Sequence, residues 1–147
     1  MALRGRMAAL KLIDRIKQHE METIGVELAA LREIEKALED QSTQLRDDAL
    51  REATQSTEDT RIFLPAYLAS VETRQLGLAN ELANATKETA RAEEELFKSF
   101  RESKTTEQVL GRVARELALE EARATTAEMD DAGRALFLLN PDGQTAG

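Results

Sequence analysis

The sequence predicts an all-α protein, folded as a long antiparallel two-helix coiled-coil hairpin with a longer C-terminal arm. Three observations carry that expectation. In the second half, Leu64, Leu68, Val71, Gln75, Leu78, Leu82, Ala85, Thr89, Ala92, Leu96, Ser99, Ser103, Thr106, Leu110, Val113 and Leu117 alternate four and three apart. A repeat of seven held over such a distance requires a long helix with one narrow apolar seam. Composition agrees: 33% of the residues are charged and only 3% aromatic, too few large rings for a globular core and typical of coiled coils. Finally, a polar cluster and a proline divide the 147 residues into two periodic segments, so the second helix has a partner helix within the chain.

Helix 1 is expected over about 3–53. Its apolar residues are Met7, Leu10, Ile13, Ile16, Met21, Ile24, Leu28, Leu31, Ile34, Leu38 and Leu45. The spacings are mostly threes and fours with a five at Ile16 to Met21, which predicts a helix that curls around its partner less regularly. The turn falls at about 54–63, where Thr54-Gln55-Ser56-Thr57-Glu58-Asp59-Thr60 supplies side chains that compete with helix for backbone groups. Ser56 and Asp59 have capping-box spacing, and Pro65 suits a first helical turn. Helix 2 is expected over about 64–139. Asn140-Pro141-Asp142-Gly143 stops it, leaving a flexible tail over 140–147.

Centring the turn near Asp59 predicts that paired residues have numbers summing to about 118, with Leu96 opposite the Met21 region. The first arm then ends early, and helix 2 projects alone from about Ala118 onward. At about 1.5 Å per residue the paired length is roughly 80 Å and the longer helix roughly 110 Å. Between Ala85 and Thr106 the seam is mainly Ala, Thr and Ser, so this stretch is expected to be the softest.

Charge is uneven. Residues 1–20 balance to +3, so the rest of the chain carries -11 of the net -8. An acidic body argues against nucleic acid along the rod. The basic end, with Arg4, Arg6, Lys11 and Arg15, is either a solvated helix end or a contact for an acidic protein surface or anionic lipid. Without cysteine there are no disulfides or thiolate sites. No secretory signal or membrane span is expected, since charged residues interrupt every apolar run.

Catalytic constellations are not expected, nor a cofactor, a metal or a small-molecule substrate. His19 lacks the Glu-x-x-His spacing of helical metal sites. Glu93-Glu94-Glu95 and Glu120-Glu121 are adjacent helical residues that point apart rather than share a substrate. There is no strand pattern to carry a phosphate loop, and Asn84-Ala85-Thr86 lies mid-helix. One feature asks for a partner: Ala69, Leu76, Ala83, Ala90 and Phe97 share a heptad position outside the seam, with Ala79 and Phe100 beside them. This stripe is either a docking surface or the packing face for a third helix.

Some local runs resemble the FliJ family of the bacterial flagellar export apparatus, related to the stalk proteins of type III secretion. Phe100-Arg101-Glu102-Ser103-Lys104, followed by Glu107 and Leu110, is similar to that family's aromatic-Arg-x-x-Lys run. Glu128-Met129-Asp130-Asp131 resembles its acidic motif before the C-terminus, with Asp-Asp where Asp-Glu is common. Pro65-Ala66-Tyr67-Leu68 sits where members resume helix after the turn. The resemblance implies a cytoplasmic, non-enzymatic protein of flagellum biogenesis and motility, peripherally associated with the membrane-embedded export apparatus. It implies three partners: a hexameric export ATPase, the membrane export gate protein and export chaperones. By analogy with rotary stalks, the ATPase contacts would be Arg4, Arg6, Lys11 and Arg15, joined by Arg123, Met129, Arg134 and Leu136. Gate and chaperone contacts would be Tyr67, Val71, Leu76, Leu78, Phe97 and Phe100. Two other readings stay open: an amphipathic coiled coil coating a lipid or polymer surface, and a structural coiled-coil spacer.

Overall fold

A computed structural model describes residues 2–140. Helix α1 spans Ala2–Gln55 and helix α2 spans Leu64–Leu139, with a single 3-10 turn at Arg61–Phe63 between them. There is no strand among the described residues. The 54-residue and 76-residue helices run antiparallel as a hairpin with a longer C-terminal arm. At its C-terminus α2 closes with the Asn140 amide donating to the Leu136 carbonyl at 3.1 Å. The stop signal after Asn140, and the tail expected there, lie outside the described residues.

The chain packs as two compact units. A terminal unit contains the described residues up to Gln18 and those from Glu102 on, and a turn unit spans His19–Arg101. In the turn unit, the connection is held by two threonines. The Thr57 amide donates to Thr60 Oγ1 at 2.9 Å, and the Arg61 amide donates to the Thr57 carbonyl at 2.9 Å. The capping pair thus has the expected three-residue spacing but sits one residue later than Ser56 and Asp59. Ser56 instead leans back on the Ala53 carbonyl.

Along α2 the seam lies where the heptad places it. Val71, Leu78, Ala85, Ala92 and Ser99, seven apart, are all buried, and Leu78 is only 2% exposed. Every other seam position from Leu64 to Leu117 is buried or half-buried except Leu68. Burial follows geometry here, because a helix supercoiled on one partner keeps only its a and d positions facing inward.

For α1 the sequence expectation needs correction. Its inward positions are Leu3, Met7, Leu10, Asp14, Lys17, Met21, Ile24, Leu28, Leu31, Glu35, Leu38, Ser42, Leu45 and Ala49, an unbroken alternation of four and three. The helix does not drift. Ile13, Ile16 and Ile34 face outward, the last two 50% exposed, while Asp14, Lys17 and Glu35 take the seam. The phase is set by the partner helix, and three isoleucines out of phase cannot shift it without moving every leucine off the seam.

The register is partly as expected. In the turn unit Ser42 donates to Gln75 Oε1 at 2.6 Å while Gln75 Nε2 donates to the Ser42 carbonyl at 2.9 Å. In the terminal unit Lys17 Nζ meets Glu102 at 2.5 Å. Both pairs lie within one residue of the expected register. Leu96, however, shares a cavity with Leu28 rather than the Met21 region, and Arg32 reaches Glu93. The contacts along this cavity thus join residues from neighbouring layers of the seam rather than directly facing ones.

Candidate functional site

The terminal unit carries the basic end. At roughly 100° per residue, Arg4, Lys11 and Arg15 fall on one line of α1, a quarter-turn from the seam, with Arg6 on another side. All four are exposed. Arg4 is ion-paired to Glu121 across the hairpin at 3.2 Å, with both side chains mostly in solvent, so the contact is weak and easily exchanged. That pair also marks where α1 ends beside α2. Arg123, Met129, Arg134 and Leu136 lie beyond it, and every one is exposed. They do not form one patch. Arg123 and Arg134 share a face, and Met129 and Leu136 share another roughly 140° away. The end thus presents cationic and apolar faces in separate directions.

Deeper in the same unit the helices are tied by polar seam layers. Lys17 pairs with Glu102, and Gln18 Nε2 donates to Ser103 Oγ at 3.3 Å. Ser103 is almost fully buried, so this layer fixes position more than it contributes apolar area.

The turn unit carries the lateral stripe. Leu76 and Phe97 are each 64% exposed, and Ala69, Ala79, Ala83, Ala90 and Phe100 are exposed as well. No third helix covers them among the described residues. Beside Phe97 lies an open cavity of about 530 Å³, lined by Leu28, Arg32, Glu93, Leu96 and Phe100. It is almost wholly apolar within, and the Arg32–Glu93 ion pair at 3.2 Å stands at its rim. Arg91, Glu94, Lys98 and Arg101 surround the other side of the Phe97 ring. An apolar cleft with charged edges suits the ring or branched side chain of an amphipathic helix.

The remaining sequence candidates divide by burial. Tyr67 is half-buried. Val71 and Leu78 are inside the seam and so are closed to any partner while the hairpin holds. Sequence reasoning missed Leu28, Arg32, Glu93 and Leu96, which complete the cavity. Leu28 and Leu96 read only as seam leucines, and a repeat read on one helix does not show that Arg32 and Glu93 meet beside them. It also missed Leu12, Ile13 and Ile16 as exposed apolar residues beside Lys11 and Arg15.

No helix among the described residues is long and apolar enough to cross a membrane, and none of their His, Cys, Asp or Glu side chains cluster in a way that could hold a metal ion. The chain matches no family model, no curated protein and no solved structure.

Proposed function

We propose that this protein is a stalk-like component of the bacterial flagellar (type III) protein export apparatus, binding and stimulating a hexameric export ATPase and linking it to the export gate and to chaperones. The reading rests on the resemblance of its local runs to the FliJ family. The observation that carries it beyond resemblance is the unequal-armed end, where a line of cations on α1 stands next to an exposed length of α2. A hairpin end of this kind can enter a ring and meet acidic loops through Arg4, Lys11 and Arg15. The lateral stripe in the turn unit then serves a second partner, the gate or a chaperone, through Leu76, Phe97 and Phe100. Tyr67 stands as a lesser candidate because of its partial burial.

The test is ATPase activity of the purified export ATPase with and without this chain. The wild-type protein stimulates turnover; reversal of Arg4, Arg6 and Lys11 to Glu removes the stimulation while helicity by circular dichroism is unchanged. Full stimulation by the reversed variant contradicts the proposed orientation, and no stimulation by the wild type contradicts the stalk reading.

One observation favours a second reading, an amphipathic helix that coats a lipid surface. Leu12, Ile13 and Ile16 are exposed on α1 amid Lys11 and Arg15, the pairing that draws a helix to anionic headgroups. Co-sedimentation with vesicles containing anionic lipid separates the two, since a stalk acts without lipid.

A further inference from the structure

From Ala118 to Asn140 every residue of the longer arm is exposed. The first seam does not extend into this segment. Its next positions are Glu120, Ala124, Ala127, Asp131, Arg134 and Leu138, three of them charged. Another phase is apolar instead: Ala118, Ala122, Thr125, Met129, Ala132, Leu136 and Leu139 alternate four and three apart. Met129 and Leu136 are each 69% exposed and Leu139 82%. Thr125 belongs to this face without a polar cost, because its hydroxyl already donates to the Glu121 carbonyl at 2.9 Å. Thr126 beside it donates to the Ala122 carbonyl at 2.9 Å. Glu120, Glu121, Arg123, Glu128, Asp130, Asp131 and Arg134 all lie off the line, and the flank formed by Leu119, Thr126 and Gly133 is uncharged.

We infer that this second seam pairs with the same seam of a second copy of the chain, antiparallel. A helix continuing α1 would face the first phase, with its three charges, and cannot be the occupant. The size gradient selects the antiparallel copy. The N-terminal half of the stripe is small, with Ala118, Ala122 and Thr125, and the C-terminal half is large. Antiparallel pairing sets Met129 on the partner's Ala132, Leu136 on the partner's Thr125 and Leu139 on the partner's Ala122. Each layer then joins a large residue to a small one, which fills space evenly. Parallel pairing would place alanine on alanine and leave gaps. The two-fold symmetry closes the contact, so it ends at a dimer. An overlap of about twenty residues runs for about 30 Å and buries roughly 1,200 Å², the low end for a specific interface. Association is therefore concentration-dependent, with a dissociation constant between about 1 μM and 1 mM. The inference does not rest on the export reading. It does bear on it, because pairing covers Met129 and Leu136 and so excludes a partner from that face.

Sedimentation equilibrium of the full chain over that concentration range tests the inference. The weight-average mass of the wild type rises toward twice the monomer mass. Met129→Asp with Leu136→Asp stays monomeric at unchanged helicity, and Leu76→Asp with Phe97→Asp dimerises like the wild type. The chain has no cysteine, so orientation is read by mixing an Ala122→Cys chain with a Leu139→Cys chain under oxidation. The mixture gives several-fold more cross-linked dimer than either chain alone. Wild type that remains monomeric throughout overturns the inference, as does dimerisation that survives the aspartates. Cross-linking as strong for Ala122→Cys alone overturns the antiparallel arrangement.

Discussion

Two carboxylates show how a single seam position can work against the fold. Asp14 and Glu35 occupy inward positions of α1, and each has one oxygen, Asp14 Oδ1 and Glu35 Oε1, buried with no hydrogen-bond partner. Leaving a buried acceptor unsatisfied costs about 1–3 kcal/mol, whereas an apolar group of similar shape carries no such penalty. Glu35→Leu should therefore raise stability by about 1–2 kcal/mol, read as a higher urea midpoint with unchanged slope; a lower midpoint would mean that the carboxylate has a role in the fold. The opposite substitution belongs at Leu78, the most deeply buried leucine. Leu78→Ala should cost about 2–4 kcal/mol, and a loss below about 1 kcal/mol would place the seam elsewhere. The same residues explain what was legible beforehand. Reading apolar residues alone found the α2 seam, where nearly every inward residue is aliphatic or small. It failed on α1, because Asp14, Lys17 and Glu35 are inside while Ile13, Ile16 and Ile34 are outside. Hydrophobicity reports burial only on average, and the regular phase emerges only when the α2 repeat is imposed on α1.

At the scale of the helices, seam chemistry divides α2 by stability. Leu64 to Leu82 carries four leucines and a valine on the seam, and Leu110 to Leu117 carries two leucines and a valine. Between them Ala85, Thr89, Ala92, Ser99 and Ser103 are buried but small. The Thr89 hydroxyl is taken up by the Ala85 carbonyl at 3.0 Å, so it adds nothing across the interface. Amide hydrogen exchange should be faster across 85–106 than across 71–82, since a segment that buries less apolar area opens more readily. Ser99→Leu should slow it. Equal protection along the helix would mean that the polar layers, Lys17 with Glu102 and Gln18 with Ser103, hold as firmly as leucine. Pro65 stands in the first turn of α2 and Asn140 just past its last residue, positions that suit their chemistry. The turn's Thr57–Thr60 closure was not legible in the sequence, because Ser, Thr and Asp at neighbouring positions offer several equivalent three-residue pairs, and only backbone geometry selects among them.

For the whole molecule, the proposed function divides between surfaces of different chemistry: a cationic line at the terminal unit and an apolar cleft in the turn unit. The candidate site was half legible. The stripe of Leu76, Ala83, Ala90 and Phe97 followed from counting sevens. The cleft beneath Phe97 did not, because it needs Leu28 and Arg32 from the other helix, which the α2 repeat alone does not place. The most direct measurement is binding of the purified chain to the proposed partners, the export ATPase and the export gate protein, at low and physiological salt. Charge attraction is screened within about 8 Å at physiological ionic strength, while apolar burial is not. ATPase binding should weaken steeply with salt and be lost on reversing Arg4, Arg6 and Lys11 to Glu, yet survive Leu76→Asp with Phe97→Asp. Gate binding should show the reverse pattern. Loss of both partners from either set of substitutions, or binding to neither by the wild type, would contradict the proposed function.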